Sequence, residues 1–435
     1  MSALNVPKAR PQRGAATLVV VMVLFLVMAL LAAYGNRSLL FEQRIASSYL
    51  RASLSQEAAE AGIEWTLAQL NGAGIDANCK PVSSGGQRFA DRYLNIDPAD
   101  RTITSRTAVS AYLLDCARDL TQDGWACRCP AADAAATPAT ALPAGAELPS
   151  SFSVDFAKGP RNGTLQLLVL GCTDSVIDNC KNSDTSAVSQ AQLGRTRLKT
   201  TIALVSAVRS PPASPLVVKG SISSSGAGLG LHNTDPRSNG LLVAMGGSTA
   251  WPGRVDDRLE SVPGTSLDQV VGQDARLADV NTTTDDLFRM YLGATVQRYP
   301  SLPALRKLAC SGDCSADIQA AYDAGQRVLW VNGPLTISSN PTLASITDPL
   351  LLIATGDVTL TGGLQLNGML VTPGNLTWTN GTALPSLING MVLVGGNVQT
   401  GGAVDIVYQQ TVADELRNRT GGFVRVPGSW NTFVR

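Results

Sequence analysis

The residues of this chain best suited to chemistry are its eight cysteines. Two pairs are close enough in sequence for a short loop to join them, Cys172 with Cys180 and Cys310 with Cys314. The spacing leaves the pairing of the other four open, apart from the expectation that Cys127 and Cys129 have different partners; these four are Cys79, Cys116, Cys127 and Cys129. Zinc is the weaker interpretation, because Cys127-x-Cys129 is not a Cys-x-x-Cys knuckle and no histidine accompanies it. We expect disulfide bonds and no metal site.

Catalytic chemistry has little support in the sequence. The only histidine, His232, lies in a Gly- and Ser-rich stretch and is interpreted as a solvated loop residue. There is no G-x-S-x-G elbow and no phosphate-binding glycine loop. The acidic stretch Asp174 to Asp178 does not have the spacing of an EF-hand loop, so solvated turns are expected there. With 34 basic and 34 acidic residues, the composition gives no case for nucleic-acid binding either. We expect a protein that is not an enzyme and needs no cofactor.

A long apolar stretch organises the chain. From Gly14 to Asn36 there is no Asp, Glu, Lys or Arg. About 20 apolar residues in a helix cross a hydrocarbon core about 30 Å thick, so this stretch is long enough to span a membrane. Lys8, Arg10 and Arg13 precede it, which places the short N-terminus in the cytoplasm and everything after Asn36 outside. The cysteines would then lie on the oxidising side, where disulfides form.

The N-terminal arrangement resembles a type IV prepilin leader, which is a short basic peptide, a glycine and then the apolar helix of the mature protein. In that family a membrane peptidase cuts after the glycine, which implies cleavage between Gly14 and Ala15. Ordinary pilins have a glutamate at the fifth mature position, where this chain has Val19. That absence is typical of PilX-like minor pilins and of the K-type pseudopilins of type II secretion. The stretch Glu57 to Leu67, EAAEAGIEWTL, also resembles the PilX-type N-terminal region.

One long helix is predicted from Gly14 to Leu70, because this part of the chain has no proline. Two helices bent at Gly35-Asn36 are the alternative. Asn71-Gly72 provides the stop, and beyond the membrane one face is expected to be apolar, formed by Phe41, Ile45, Tyr49, Leu54, Ala58, Ala61 and Trp65.

The region from Gly72 to Ser210 is predicted to be a mixed αβ unit. Its best strands are Gly163 to Gly171 and Arg195 to Val208, the second of which alternates apolar and polar residues. A helix packed on an antiparallel sheet is what the pilin resemblance implies, and the two strands fit that layout. The stretch Pro130 to Pro149 is expected to be an exposed loop.

A repeat follows the linker Ser210 to Pro215. Leu366 to Asn375 reads LNGMLVTPGN, Ile388 to Asn397 reads INGMVLVGGN, and Ser238 to Gly247, SNGLLVAMGG, is a third relative. Periods near 20 residues with Asn-Gly turns and short strands predict stacked β-coils, as in a β-solenoid. A sandwich of hairpins is the alternative, since Asn-Gly also favours two-residue turns. A β-helical enzyme acting on glycans would use clustered acids, and Asp357 and Asp405 are the only acids inside the repeats, so this alternative is a minor one. An adhesin that binds through Trp378 or Trp430 is a second minor alternative.

A polar, helix-prone segment separates the repeat copies. A helix is predicted to begin at Thr282 to Asp286, and the segment is interpreted as an insertion with a rim formed by Asp256, Asp257 and Arg258.

These observations predict an α+β protein with four parts. They are a prepilin-like leader (1–14), a transmembrane and amphipathic helix (15–71), a disulfide-bearing pilin-like αβ domain (72–210) and a glycine-rich β-repeat domain (211–435) with a helical insertion (254–327). The resemblance implies a minor pilin that primes type IV pilus assembly and lies at or near the filament tip, or alternatively a type II secretion tip pseudopilin. Its partners would be other minor pilins, the major pilin, the prepilin peptidase and a tip adhesin. It would be an inner-membrane protein that crosses once and has its bulk in the periplasm before assembly into a surface pilus.

Overall fold

The chain begins with one uninterrupted helix, α1 (Ala15–Leu70), of 56 residues. The computed structural model describes residues 15–106, 114–119, 124–131, 149–181, 193–247, 258–266 and 271–432. The prediction of a single helix is confirmed, since α1 continues through Gly35 and ends before Asn71-Gly72. The predicted leader (residues 1–14), Asp256 and Asp257 lie outside the described residues, as does most of the predicted loop after Pro130.

Short elements connect α1 to the first sheet. They are β1 (Gly74–Ile75), β2 (Gln87–Arg88), α2 (Phe89–Tyr93), β3 (Leu94–Ile96) and β4 (Ile103–Ser105). They form two small antiparallel ribbons, β1 with β2 and β3 with β4. The rings of Phe89 and Tyr93 are fully buried and make an edge contact with centroids 4.8 Å apart. This segment therefore contributes part of the core that lies under the helix.

An antiparallel sheet of seven strands supports the C-terminal half of α1. Its members are β5 (Leu114–Asp119), β6 (Gly124–Arg128), β7 (Ser151–Lys158), β8 (Thr164–Cys172), β9 (Arg195–Ser206), β27 (Gly421–Arg425) and β28 (Asn431–Thr432), with the short helix α3 (Asp178–Lys181) after β8. The strand order is β27-β9-β8-β7-β5-β6, and β28 also pairs with β9. The two strands predicted from the sequence are β8 and β9, which are neighbours. Leu198, Thr200, Ile202 and Leu204 of β9 are buried, as the alternation predicts.

The pairing of β27 shows that the C-terminal boundary predicted for the repeat domain is wrong. β27 pairs antiparallel with β9, Gly421 lying opposite Ser206. Asn71, at the end of α1, bonds to both backbone groups of Phe423: its Nδ2 donates to the carbonyl at 2.9 Å and its Oδ1 accepts from the amide at 2.7 Å. The prediction that 211–435 forms one repeat domain is therefore wrong at its C-terminal end. The repeat region is inserted between two adjacent strands of the first sheet.

Parallel strands make up the repeat region. In chain order they are β10 (Leu216–Val218), β11 (Ile222–Ser225), β12 (Leu229–Asn233), β13 (Val243–Met245), β14 (Arg258–Ser261), β15 (Val271–Gln273), β16 (Leu305–Leu308), β17 (Val328–Val331), β18 (Leu335–Ile337), β19 (Thr342–Leu343), β20 (Leu350–Ala354), β21 (Val358–Thr361), β22 (Gln365–Thr372), β23 (Leu376–Asn380), β24 (Leu387–Val394), β25 (Val398–Gly402) and β26 (Val404–Val407). They form a 12-stranded and a five-stranded sheet. A sandwich of hairpins needs antiparallel neighbours, whereas these strands pair in parallel.

Equivalent residues of two repeat copies lie opposite each other in the parallel sheet. Leu366 to Thr372 of β22 pair position for position with Ile388 to Val394 of β24. Gly368 and Gly390 fall opposite each other, and a Cβ at either would collide with the backbone carbonyl of the preceding coil. The third relative is displaced by one position, because Val243 rather than Leu242 aligns through Leu216 with Val392.

A stacked corner joins the two parallel sheets. The Gly-polar-apolar elements at Gly356, Gly374, Gly396 and Gly220 lie on top of one another, and their backbones bond between coils. Beside them, Asp357 Oδ1 accepts from the amide of Asn375 at 2.7 Å, and Asn375 Oδ1 accepts from the amide of Asn397 at 3.0 Å. Side chains thus satisfy backbone donors where the chain turns, which keeps the coils in register.

Helices cover the outer face of the larger parallel sheet. These are α4 (Ala275–Ala278), α5 (Thr284–Tyr291) and α7 (Gln410–Asn418), whereas α6 (Ser315–Asp323) packs its Ile318 into the core between the two parallel sheets. 3₁₀ turns lie at Pro236–Ser238 and Tyr299–Ser301. α5 begins with Thr283 and Asp286 in a capping box, close to the predicted start. The helix prediction is thus confirmed, but the insertion limits 254–327 are wrong, because β14, β15 and β16 belong to the sheet.

Ion pairs fix the repeat region to the segment that connects α1 with the first sheet. Arg88 of β2 bonds to Asp348 at 3.0 Å, and Arg419 after α7 bonds to Asp91 of α2 at 3.1 Å. Asp348 also accepts from Arg327 at 2.6 Å. Burial raises the pKa of the nearby Glu415 carboxyl, which Arg419 partly offsets. The two parts are therefore joined by a charged junction as well as by β27.

Candidate assembly interface

The N-terminal half of α1 stands free of the rest of the molecule. Every described side chain from residue 16 to residue 50 is exposed, and the first buried one is Ser55. Large apolar groups are among them; Phe25 is 70% and Leu31 67% exposed. The segment Ala16–Gly35 is long and apolar enough to cross a membrane. An apolar surface of this kind is stable only against lipid or against other apolar helices.

The C-terminal half of α1 packs on the antiparallel sheet through small side chains. Ala58, Ala59 and Ile63 are buried against it. At Gly62 a Cβ would lie 2.6 Å from Val169 Cγ1 and 2.9 Å from Phe152 Cδ2. The PilX-like stretch Glu57 to Leu67 thus packs closely on the sheet.

Polar and aromatic contacts fix this half in place. The Ser55 hydroxyl is 2.7 Å from that of Thr196 on β9. The buried Thr66 hydroxyl is satisfied within α1, where it donates to the Gly62 carbonyl at 2.7 Å. The Trp65 ring lies 5.7 Å from those of Phe89 and Phe152, centroid to centroid. The predicted apolar face is wrong in its first part, because Phe41, Ile45 and Tyr49 are exposed. Sequence reasoning also missed the link from Asn71 to Phe423, for which a polar residue at a helix end is no specific signal.

One of the two residues of the predicted processing site lies within the described part of the chain. Gly14 lies outside the described residues, and Ala15 is the first residue of α1. Val19 is 58% exposed on the free half. No carboxylate occurs between Ala15 and Gly35, so the spanning segment offers no counter-charge to a neighbour's amine.

Four disulfide bonds are present, and they account for all eight cysteines. Two are the local pairs named from the sequence, Cys172–Cys180 and Cys310–Cys314. The other two are Cys79–Cys129 and Cys116–Cys127, so Cys127 and Cys129 have different partners. Cys116 and Cys127 lie opposite each other on β5 and β6, whereas Cys79–Cys129 ties the segment after α1 to the end of β6.

The position of the single histidine differs from the one interpreted from the sequence. His232 lies on β12 rather than in a solvated loop, and 24% of its side chain is exposed. Its Nε2 is 3.1 Å from Asp405 Oδ1 and its Nδ1 is 2.9 Å from Glu260 Oε2. Arg258, expected at a rim, also donates to Asp405, at 2.7 Å. With both ring nitrogens bonded to carboxylates, the imidazole has no free atom with which to accept a substrate proton.

The remaining candidate residues have structural contacts. Asp174 bonds within its own loop, to the amide of Val176 at 2.9 Å and to Asn179 at 2.8 Å. Trp378 is fully buried and donates to the Ser386 hydroxyl at 2.8 Å, while Trp430 is 43% exposed. Among the residues that the structure describes, no group of three or more His, Cys, Asp or Glu side chains is arranged to hold a metal ion.

Comparison with known proteins identifies the N-terminal segment. Residues 13–64 match the PilX N-terminal family model, which agrees with the resemblance of the sequence. The competence-associated pilin ComZ from Thermus thermophilus is a structural neighbour with 10% identity over 88% of this chain and 97% of that chain. Its TM-score of 0.20 is too low to indicate a shared fold. No curated protein matches the chain.

Proposed function

We propose that this chain, which begins with a PilX-type N-terminal segment, is a minor pilin that primes type IV pilus assembly and resides at or near the filament tip. The observation that carries the proposal is the division of α1: an exposed apolar half, followed by a half that packs on an antiparallel sheet through the PilX-like stretch. Such a helix can anchor the subunit in the inner membrane and later enter the apolar core of a filament.

Val19 supports a terminal position in the filament. In ordinary pilins the glutamate at this place neutralises the N-terminal amine of a neighbouring subunit. A subunit with Val19 would leave that amine unpaired in an apolar core, which costs several kcal/mol. At the tip no subunit lies above it, so this cost disappears. The inserted repeat region adds bulk that a regular shaft would not accommodate.

The repeat region serves in this proposal as a β-solenoid-like module displayed by a pilin-like base. Support comes from its parallel pairing and from its place between β9 and β27. The partners of the base would be other minor pilins, the major pilin and the prepilin peptidase, and the module would face a tip adhesin or the surroundings. Before assembly the chain would cross the inner membrane once, with this module in the periplasm.

Processing tests the first step of the proposal. Cleavage after Gly14 should give a mature protein that begins at Ala15, as measured by mass spectrometry of the membrane fraction. Replacing Gly14 with a bulky residue, Gly14→Trp, should leave the precursor uncut, whereas Gly35→Ala is the control and should be processed normally. A mature chain that begins at Met1, or one cut beyond Ala33, would contradict a prepilin.

A further inference from the structure

The repeat region contains a seam between coils that are far apart in the chain. The first coil (residues 216–233) stacks on the last coil (residues 391–407) through β10 with β24, β11 with β25 and β12 with β26. The other stacked coils that the structure describes follow one another along the chain, so a connecting segment ties each to the next. The first and last coils have no such tie, so backbone pairing and the side-chain contacts on the seam hold them together.

His232 lies on this seam and bonds in both directions. On one side its Nε2 meets Asp405 of the last coil at 3.1 Å. On the other, its Nδ1 meets Glu260 of β14, which belongs to the second coil, at 2.9 Å. Gly230, two residues earlier on β12, carries no side chain, and a Cβ there would collide with Asp405. This gap lets Arg258 of β14 reach over β12 to Asp405.

The geometry requires a proton on each ring nitrogen. Carboxylates only accept, so both contacts are hydrogen bonds when the ring is an imidazolium, and the neutral ring can donate to one carboxylate alone. The charged groups facing the ring are Asp405 from β26 and Glu260 and Arg258 from β14. Asp235 and Tyr408 line the same open cavity of about 330 Å³. With His232 protonated, the imidazolium and Arg258 balance Asp405 and Glu260, and loss of the proton leaves one negative charge in excess.

We propose that His232, Asp405 and Glu260 form a proton-dependent clasp that holds the first coil to both of its neighbours and loosens the seam as the pH rises. The hydrogen bond with Asp405, followed by that with Glu260, raises the pKa of His232 above its ordinary 6.5, although burial opposes the shift. A histidine whose pKa is raised on folding stabilises the folded state fully below its unfolded pKa. That stabilisation is lost as the pH passes through the raised value. The clasp is therefore closed at pH values below the raised pKa of His232 and open at pH values above it.

Hydrogen exchange tests the clasp in the full-length protein in detergent. Protection factors, corrected for the intrinsic effect of pH, are compared between about pH 5.5 and pH 8.5, on either side of the histidine range. We expect β12 and β26 to lose protection at the higher pH, while β20 and β22, which lie away from the seam, keep theirs. In His232→Gln the seam strands should be weakly protected at both values. Protection of β12 that does not change with pH in the wild type, or changes equally in His232→Gln, overturns the proposal.

Glu260→Gln provides a second, milder variant that keeps the pair between Arg258 and Asp405. Removing one carboxylate should lower the pKa of His232, so the loss of protection should move to lower pH. An unchanged midpoint in this variant would show that Glu260 is not part of the clasp. If His232→Gln does not fold, the pH midpoints of the wild type and Glu260→Gln still test whether the clasp exists.

Discussion

At the scale of single residues, small side chains explain what the PilX-like stretch does. Ala58, Ala59 and Gly62 let α1 approach the sheet until Gly62 contacts Phe152 and Val169. The sequence shows a helix with an apolar face, but it does not show where the face becomes covered. Phe41, Ile45 and Tyr49 continue that pattern and are exposed, because the sheet ends below them. Periodicity predicts which residues share a face and not how far a neighbour extends along it.

Substitution of Gly62 tests this close contact. In an exposed helix interior, Gly→Ala stabilises by about 0.5–1 kcal/mol because alanine is the better helix former. In Gly62→Ala the new methyl group would press on Val169 Cγ1, 2.6 Å away. We therefore expect the free energy of unfolding to fall by about 1–3 kcal/mol, as overpacking does in other cores. Chemical denaturation of the full chain in detergent, followed by tryptophan fluorescence, measures the change.

Gly35→Ala is the matched control for that experiment. It lies in the same helix, and nothing is within 4 Å of its added Cβ. Because this part of α1 stands free, the unfolding midpoint should not fall, and the higher helix propensity of alanine can only raise it. A midpoint for Gly62→Ala equal to or above that of the wild type would show that the helix does not depend on this contact.

The cysteines mark how far spacing alone can predict a site. Cys172–Cys180 and Cys310–Cys314 are separated by 8 and 4 residues, so a short loop joins them whatever the fold. Cys79–Cys129 spans 50 residues, and Cys116–Cys127 depends on the register of β5 with β6. These two disulfides can be assigned only when the fold is known, because the spacing of the cysteines in the sequence does not determine them.

At the scale of elements, the repeats were predictable where neighbours in space are neighbours in sequence. The copies at Leu366 and Ile388 pair directly, because parallel coils place equivalent residues side by side. Two further contacts could not be foreseen. The first coil returns to the last, and β27 returns to β9, over separations for which local patterns hold no information. His232 was misinterpreted for the same reason, since its partners Asp405 and Glu260 lie in other coils.

Excision of the repeat region tests the architecture at this scale. Ser206 pairs with Gly421, and the amide of Ala207 bonds to the carbonyl of Thr420 at 2.9 Å, so the two ends of the insertion meet. Replacing residues 208–419 with a short glycine-rich turn should leave α1 and the antiparallel sheet folded, with three disulfides formed. Non-reducing mass mapping and circular dichroism measure the outcome.

The expected cost of excision is lower stability, because the ion pairs of Arg88 and Arg419 at the junction are lost. A control that removes 208–432 also deletes β27 and the partner of Asn71, and it should fold less well. If the shorter excision exposes free thiols or gives an unfolded chain, the base is not an independent unit.

At the scale of the whole molecule, the chain divides its surface between two tasks. An apolar helix of about 30 Å, given its 20 residues from Ala16 to Gly35, projects from one side. The repeat module is attached at both of its ends to the opposite part of the base. The helix suits burial among lipids or other helices. In the function we propose, the module is too bulky for a regular shaft, and the subunit lies at one end of a filament.

Immunogold labelling of sheared filaments with antibodies against the repeat module tests this central claim most directly. Antibodies against the major pilin, which should mark the whole shaft, are the control. We predict one cluster of gold at one end of each filament, and loss of filaments when the protein is absent. Labelling spaced evenly along the shaft, or normal assembly with a version lacking residues 14–36, would contradict the account.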